Sequence, residues 1–237
     1  SATPHKDENG PAGAVWLQGA EFVMEDGAEI RDMVGRVVYA DGGAVTIGGT
    51  IRNIKSDKDM WQGDGGFVVH LRQGAEGTLA GTALVDNQSL STSGNAFSVF
   101  KDCKLVAQNG SRTQNFKDGN VFYVQQDNAV LYLDGKVTDC TTSSHIVQAN
   151  SDAFQVTIGQ HADISNNTVG YGAIYAYSND NAQGVCGNID IYGKINNNLS
   201  TDRGGAVAMA NNGSNLTVNM YDGAEICNNV STQTGGG

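Results

Sequence analysis

Over most of its length the chain alternates apolar with polar or small residues at period two, in short runs that end in Gly, Asn or Asp. That pattern predicts short strands separated by tight turns, with no long helix. The runs also recur in a fixed order. Residues 204–209 lead through 218–223 to 226–229, and the preceding copy runs through 172–176, 189–193 and 195–198. A module of strand, turn, strand, turn, strand, turn is thus written about eight times. One such coil cannot bury its own apolar face, but stacked on its neighbours it can. The simplest stack is a parallel β-helix with three strands per coil, whose inward residues form continuous ladders.

Aligned on the first inward residue, the copies begin at Val15, Val38, Val68, Phe97, Phe122, Val147, Ile174 and Val207, at spacings from 23 to 33 residues. Such variation excludes a fixed-period helical array and points to coils that carry insertions in their turns. A second inward column follows at Leu17, Ala40, Val99, Val124, Ala149, Ala176 and Met209. In the third copy Phe67, Val69 and Leu71 compete with Val68 for the inward face, and a shift of one would swap the faces. Middle strands are expected at 22–24, 45–47, 131–133, 156–158, 189–191 and 218–220.

A third ladder, Ile30, Ile51, Leu84, Val137, Ile164, Ile195 and Ile226, stands two residues before Asp32, Asn53, Asp86, Asp139, Asn166, Asn197 and Asn228. Two readings of this Asn/Asp column stand. Its amides stack along the axis at the inter-strand spacing, or its members serve local turns that Asn and Asp favour. The fourth copy breaks the pattern between Cys103 and Gly119, and further insertions span 55–65, with Trp61, and 178–187. Residues 1–12 are polar and aperiodic and read as a lead-in. Residues 13–237 read as one β-helix domain. Both ends fall at repeat boundaries, so a fragment of a longer surface protein is expected, with further coils beyond Gly237 and a fraying last coil.

Composition sharpens this picture. Of 237 residues 32 are Gly and only 2 Pro, as a turn every few residues requires. With 25 acidic against 14 basic side chains the net charge is −11, which repels a phosphate polyanion and argues against a nucleic-acid partner. No apolar run is long enough to span a bilayer. Cys103, Cys140, Cys186 and Cys227 show no metal-ligand spacing and read as free or partly buried thiols. His5, His70, His145 and His161 are scattered, and no catalytic constellation, cofactor or metal site is expected.

One column points to binding. Between the two inward columns of the first strand lie Trp16, Tyr39, Val69, Ser98, Tyr123, Gln148, Tyr175 and Ala208. Aromatic rings on a rigid polar face suit the C–H faces of sugars, which nominates Trp16, Tyr39, Tyr123 and Tyr175 as ligand-binding residues. Aromatics on a sheet also pair with cross-strand neighbours and stabilise it, and both roles remain open at this point.

The Gly-Gly-Ala-Val at Gly204 to Val207 and Gly42 to Val45, the Gly-Ala-Ile at Gly172, the Gly-Ala-Val at Gly13, and the Ile-x-Asn-Asn at Ile164, Ile195 and Ile226 resemble the repeat of chlamydial polymorphic outer membrane proteins. They are similar also to repeats of large surface proteins from gut Firmicutes, within the pectin-lyase-like β-helix superfamily. The resemblance implies a right-handed parallel β-helix and an adhesin-like role at a bacterial surface, secreted or cell-bound, toward a glycan or host protein. It carries over no catalytic residue. A polysaccharide lyase or hydrolase on the same scaffold and a purely structural stalk are the competing expectations, since fold alone does not choose among them.

Overall fold

The computed structural model describes residues 13–55, 66–87, 94–117, 119–151, 153–178, 186–211 and 215–233. The lead-in, Trp61, His5 and much of the two expected insertions lie outside them. Three parallel sheets, each of eight strands, are visited in turn by the chain. The first sheet opens with Gly13–Gln18 and Arg36–Asp41, the second with Glu21–Met24 and Ala44–Ile47, the third with Glu29–Val34 and Thr50–Lys55. Among the described residues there is no helix. The molecule is a parallel β-solenoid with three strands per turn, the architecture that the period-two runs predict.

The core is the set of inward ladders. In the first sheet Val15 pairs with Val38, then Val69, Phe97, Phe122, Val147, Ile174 and Val207 in succession. Phe97 stacks on Phe122 with ring centroids 4.9 Å apart. In the third sheet the inward ladder runs through Ile51, Val85, Thr113, Val137, Ile164 and Ile195, all buried. Full burial of each aliphatic member contributes roughly 1.5–3 kcal/mol, and stacking makes the core continuous from Leu17 to Ala206.

Three expectations are corrected. The third copy enters the first sheet through Val69 and not Val68, so His70 and not Val69 holds its outward position. Residues 67–71 are buried throughout, so alternation there carried no information. The third ladder runs through Val85 and not Leu84 for the same kind of one-residue shift. The fourth copy is a regular coil: Lys104–Ala107 joins the second sheet and Arg112–Gln114 the third, with Thr113 in the ladder. As the expected middle strand at 45–47 implies, Gly42 and Gly43, both at positive φ, form the turn before a second-sheet strand, whereas Gly204 and Gly205 precede a first-sheet strand. The two Gly-Gly-Ala-Val stretches are therefore not equivalent positions.

A middle strand that the pattern missed, Glu76–Leu79, has Gly77 where its neighbours carry Val45 and Leu105. A Cβ there would lie 2.8 Å from Leu105 Cδ1 and 2.9 Å from Leu71 Cδ1, so neighbouring leucines fill the space that an inward side chain leaves. A fourth short sheet, Thr168–Val169, Leu199–Ser200 and Val230–Ser231, also appears in the last coils.

The Asn/Asp column divides its labour. Asp32, Asn53, Asp139, Asn166, Asn197 and Asn228 sit at φ between 55° and 60°, the left-handed turn that Asn and Asp tolerate, and Asn115 of the fourth coil joins them, whereas Asp86, paired with Gln114, does not. Axial bonds survive in places, as Asn53 Nδ2 to Asp32 (3.0 Å) and Asn115 Nδ2 to Asp86 (2.8 Å). The buried amide ladder lies one residue later. Asn167 Nδ2 donates to Asn198 Oδ1 and Asn198 Nδ2 to Asn229 Oδ1, each at 2.9 Å. The same oxygens accept the backbone N–H of Asn167 and Asn198, and the amides donate to the carbonyls of Val137, Ile164 and Ile195. Cys140 begins this ladder, its N–H donating to Asn167 Oδ1 at 3.0 Å.

Candidate functional site

The outward column of the first sheet contains Trp16, Tyr39, His70, Ser98, Tyr123, Gln148, Tyr175 and Ala208 in register. Its aromatics do not form one open platform. Trp16 is 53% exposed, but Tyr39 and Tyr123 keep only 7% and 5% of their surface, and Ser98 between them is fully buried. Tyr39 lies under the Arg36 guanidinium (4.7 Å to the ring centroid), stacks on His70 (5.0 Å), and accepts a 2.9 Å hydrogen bond from Arg72 Nη1. Tyr123 accepts from Asn150 Nδ2 at 3.2 Å. Outward residues are thus packed a second time, which a two-face pattern does not anticipate. Trp16 and the half-buried Tyr175 stand six rungs apart, about 29 Å at the inter-strand spacing, too far to grip one sugar ring.

The histidines here are structural. Burial, aided by Arg36 and Arg72, pushes the His70 pKa down to about 2, so the ring is neutral in its stack with Tyr39 and Phe100. His145 stacks on Tyr175 at 4.5 Å, its Nδ1 lies 3.1 Å from the Tyr171 carbonyl, and burial lowers its pKa also. Burial raises the thiols of Cys103 and, to about 12, of Cys140, so neither is a ready nucleophile. Cys103, Cys140 and Cys227 are free, and Cys186 lies in strand Cys186–Ile191. Among the described residues no three His, Cys, Asp or Glu side chains converge as a metal cluster. No helix there is long and apolar enough to cross a membrane.

A second cluster lies on the outward face of the second sheet, where Gln155 and Thr157 pair with Asn188 and Asp190, and these with Thr217 and Asn219. One position past the last two strands, Tyr192 and Tyr221 stack with centroids 4.2 Å apart and planes 7° from parallel. The preceding rung has Gly159 at this place, with no side chain to cover Tyr192, and Tyr221 is 41% exposed. Asp190 is the hub. Its Oδ2 accepts from Gln155 Nε2 (2.9 Å) and Asn188 Nδ2 (2.8 Å), and its Oδ1 from Asn219 Nδ2 (2.9 Å) and the Tyr221 hydroxyl (3.1 Å). Partial burial opposes ionisation, but the donors from Asn219, Gln155, Tyr221 and Asn188 together hold the carboxyl below its ordinary value. The hydrogen bond to Asp190 in turn pushes Tyr221 up to about 12.

Such a group is a weak base with every lone-pair direction engaged, suited to holding a polar surface in shape rather than to moving a proton. Periodicity within strands does not reveal this cluster, because the tyrosines sit in the following turn. The available signal was their recurrence at one module position, Ile191-Tyr192 and Met220-Tyr221. No protein-family model matches the chain, and neither the curated proteins nor the solved structures contain a match.

Proposed function

We propose that the chain is a non-catalytic, adhesin-like β-helix module, displayed on or secreted from a bacterial cell, that binds a glycan on the outward face of its second sheet. The observation that carries this reading is the Tyr192–Tyr221 stack, with Tyr221 exposed and Tyr192 half-buried, beside the Asp190 amide cluster. Aromatic rings take the C–H faces of sugars while fixed polar groups take their hydroxyls. Parallel strands with amide ladders keep this face rigid, so little ordering is needed on binding. The net charge of −11 and the repeat resemblance accord with an extracellular surface and against nucleic acid. The lyase or hydrolase alternative needs a general base, and Asp190 is a weakened one, its pKa lowered by donors that occupy its acceptor sites.

A glycan array probed with the wild-type chain and with Tyr221→Ala tests the reading. Wild type retains specific glycans, and the variant loses them with its melting temperature nearly unchanged. No retention by wild type returns the chain to a stalk, and release of new reducing or unsaturated ends from polysaccharide makes it an enzyme.

A further inference from the structure

The donor and acceptor inventory of the Asp190 cluster, taken with the glycan reading on which it rests, specifies a class of ligand. Every amide N–H of the cluster faces an acceptor within it. Gln155 Nε2 reaches Asp190 and Thr157 Oγ1 (3.4 Å), Asn188 Nδ2 reaches Asp190 and Gln155 Oε1 (3.2 Å), and Asn219 Nδ2 reaches Asp190 and Asn188 Oδ1 (3.1 Å). The Tyr221 hydroxyl donates to Asp190 as well. The hydroxyls of Thr157 and Thr217 are the donors left over, the Tyr192 hydroxyl being engaged with that of Tyr221. What the face still offers is mostly acceptor capacity, on the side-chain carbonyls of Gln155, Asn188 and Asn219. Of the outward positions 155, 157, 159, 188, 190, 192, 217, 219 and 221, only Asp190 is charged, and none is Lys or Arg.

We infer that this face selects neutral glycans and rejects acidic ones. Sugar hydroxyls donate to its open carbonyls. A uronate or sulfate ester cannot donate, brings a like charge beside Asp190, and meets no cation. At separations of about 6 Å near a protein surface, one unfavourable unit-charge pair weakens binding on the order of ten-fold or more. The interaction is screened by salt, so the discrimination narrows as ionic strength rises.

The test measures affinity for matched glycans that differ in charge: methyl-esterified homogalacturonan against polygalacturonate, dextran against dextran sulfate, and cello-oligosaccharides against their sulfated forms, with a broad array of neutral and acidic glycans run in parallel. The inference predicts that retained glycans are neutral, that charged counterparts bind at least ten-fold more weakly at low salt, and that the gap shrinks at high salt. Tyr221→Phe, which frees one lone pair of Asp190 yet keeps the ring, should preserve the selectivity. Equal or tighter binding of the acidic member overturns the inference and leaves the glycan reading standing. Absence of any binding across the array overturns both.

Discussion

Replacing Asn198 by Ala separates the buried amide ladder from the exposed turn column beside it. Asn198 Oδ1 is the acceptor for the buried Asn167 N–H (3.1 Å), and its Nδ2 donates to the Ile164 carbonyl and to Asn229 (both 2.9 Å). In the variant, Asn167 Nδ2 retains the Val137 carbonyl and Asn229 Oδ1 retains the Asn198 N–H. The Asn167 N–H, in contrast, is left inside the protein without its partner, a loss of about 1–3 kcal/mol. Three further buried bonds vanish, from Asn167 Nδ2 to Asn198 Oδ1 and from Asn198 Nδ2 to the Ile164 carbonyl and to Asn229, at about 1 kcal/mol each, so the expected destabilisation is about 5 kcal/mol. For a chain of this size that lowers the melting temperature by roughly 10–20 °C. Asn197→Gly is the control: Asn197 is exposed at φ 56°, a conformation glycine adopts freely, so its cost stays within about 1 kcal/mol. Urea and thermal unfolding followed by far-ultraviolet circular dichroism measure both variants. Equal losses, or a larger loss for Asn197→Gly, would refute the assignment of the ladder to Asn167, Asn198 and Asn229.

Ile195→Asp places a carboxylate between the buried Ile164 and the partly buried Ile226 and should cost several kcal/mol, read as a large fall in the urea midpoint. Tyr123→Ala empties a buried site and should destabilise by about 3 kcal/mol while leaving glycan retention unchanged, the reverse of what an open platform at Tyr123 requires. His70 has a folded pKa of about 2 against an ordinary 6.5, so the unfolded chain takes up the proton first; its contribution is complete above pH 6.5 and declines as pH falls toward 2. His70→Phe should flatten that part of the stability profile, and an unchanged slope would show that the ring is accessible when folded. Cys140, raised to about 12, contributes stability below pH 9 that is lost as pH rises toward 12, and in native protein it should resist a thiol reagent that labels it fully in urea.

The coil architecture was legible because its signals are local. Period-two runs and the Ile-x-Asn turn repeat within each module, and six of the seven Asn or Asp residues in the column adopt the left-handed turn. The errors came where locality failed. Phe67 to Leu71 are buried on both sides, so alternation could not set the register, and Thr113 holds a ladder position with a polar side chain. The outward column of the first sheet was legible in its register except at His70, but its exposure depended on what packs over it. Arg36, Arg72 and Phe100 come from separate positions along the chain, and a pattern of inward and outward residues does not tell which outward face is covered. Tyr192 and Tyr221 escaped notice because two tyrosines 29 residues apart become a stack only once the coils are in register.

The most direct test follows the tyrosine rings during titration with a glycan that the array retains, by nuclear magnetic resonance of the chain carrying 13C-labelled tyrosine. Resonances of Tyr192 and Tyr221 should shift in saturable fashion while those of the buried Tyr39 and Tyr123 stay in place. Saturable shifts confined to Tyr171, Tyr175 and Tyr177, or no tyrosine shift at saturation, would contradict binding at the second-sheet face.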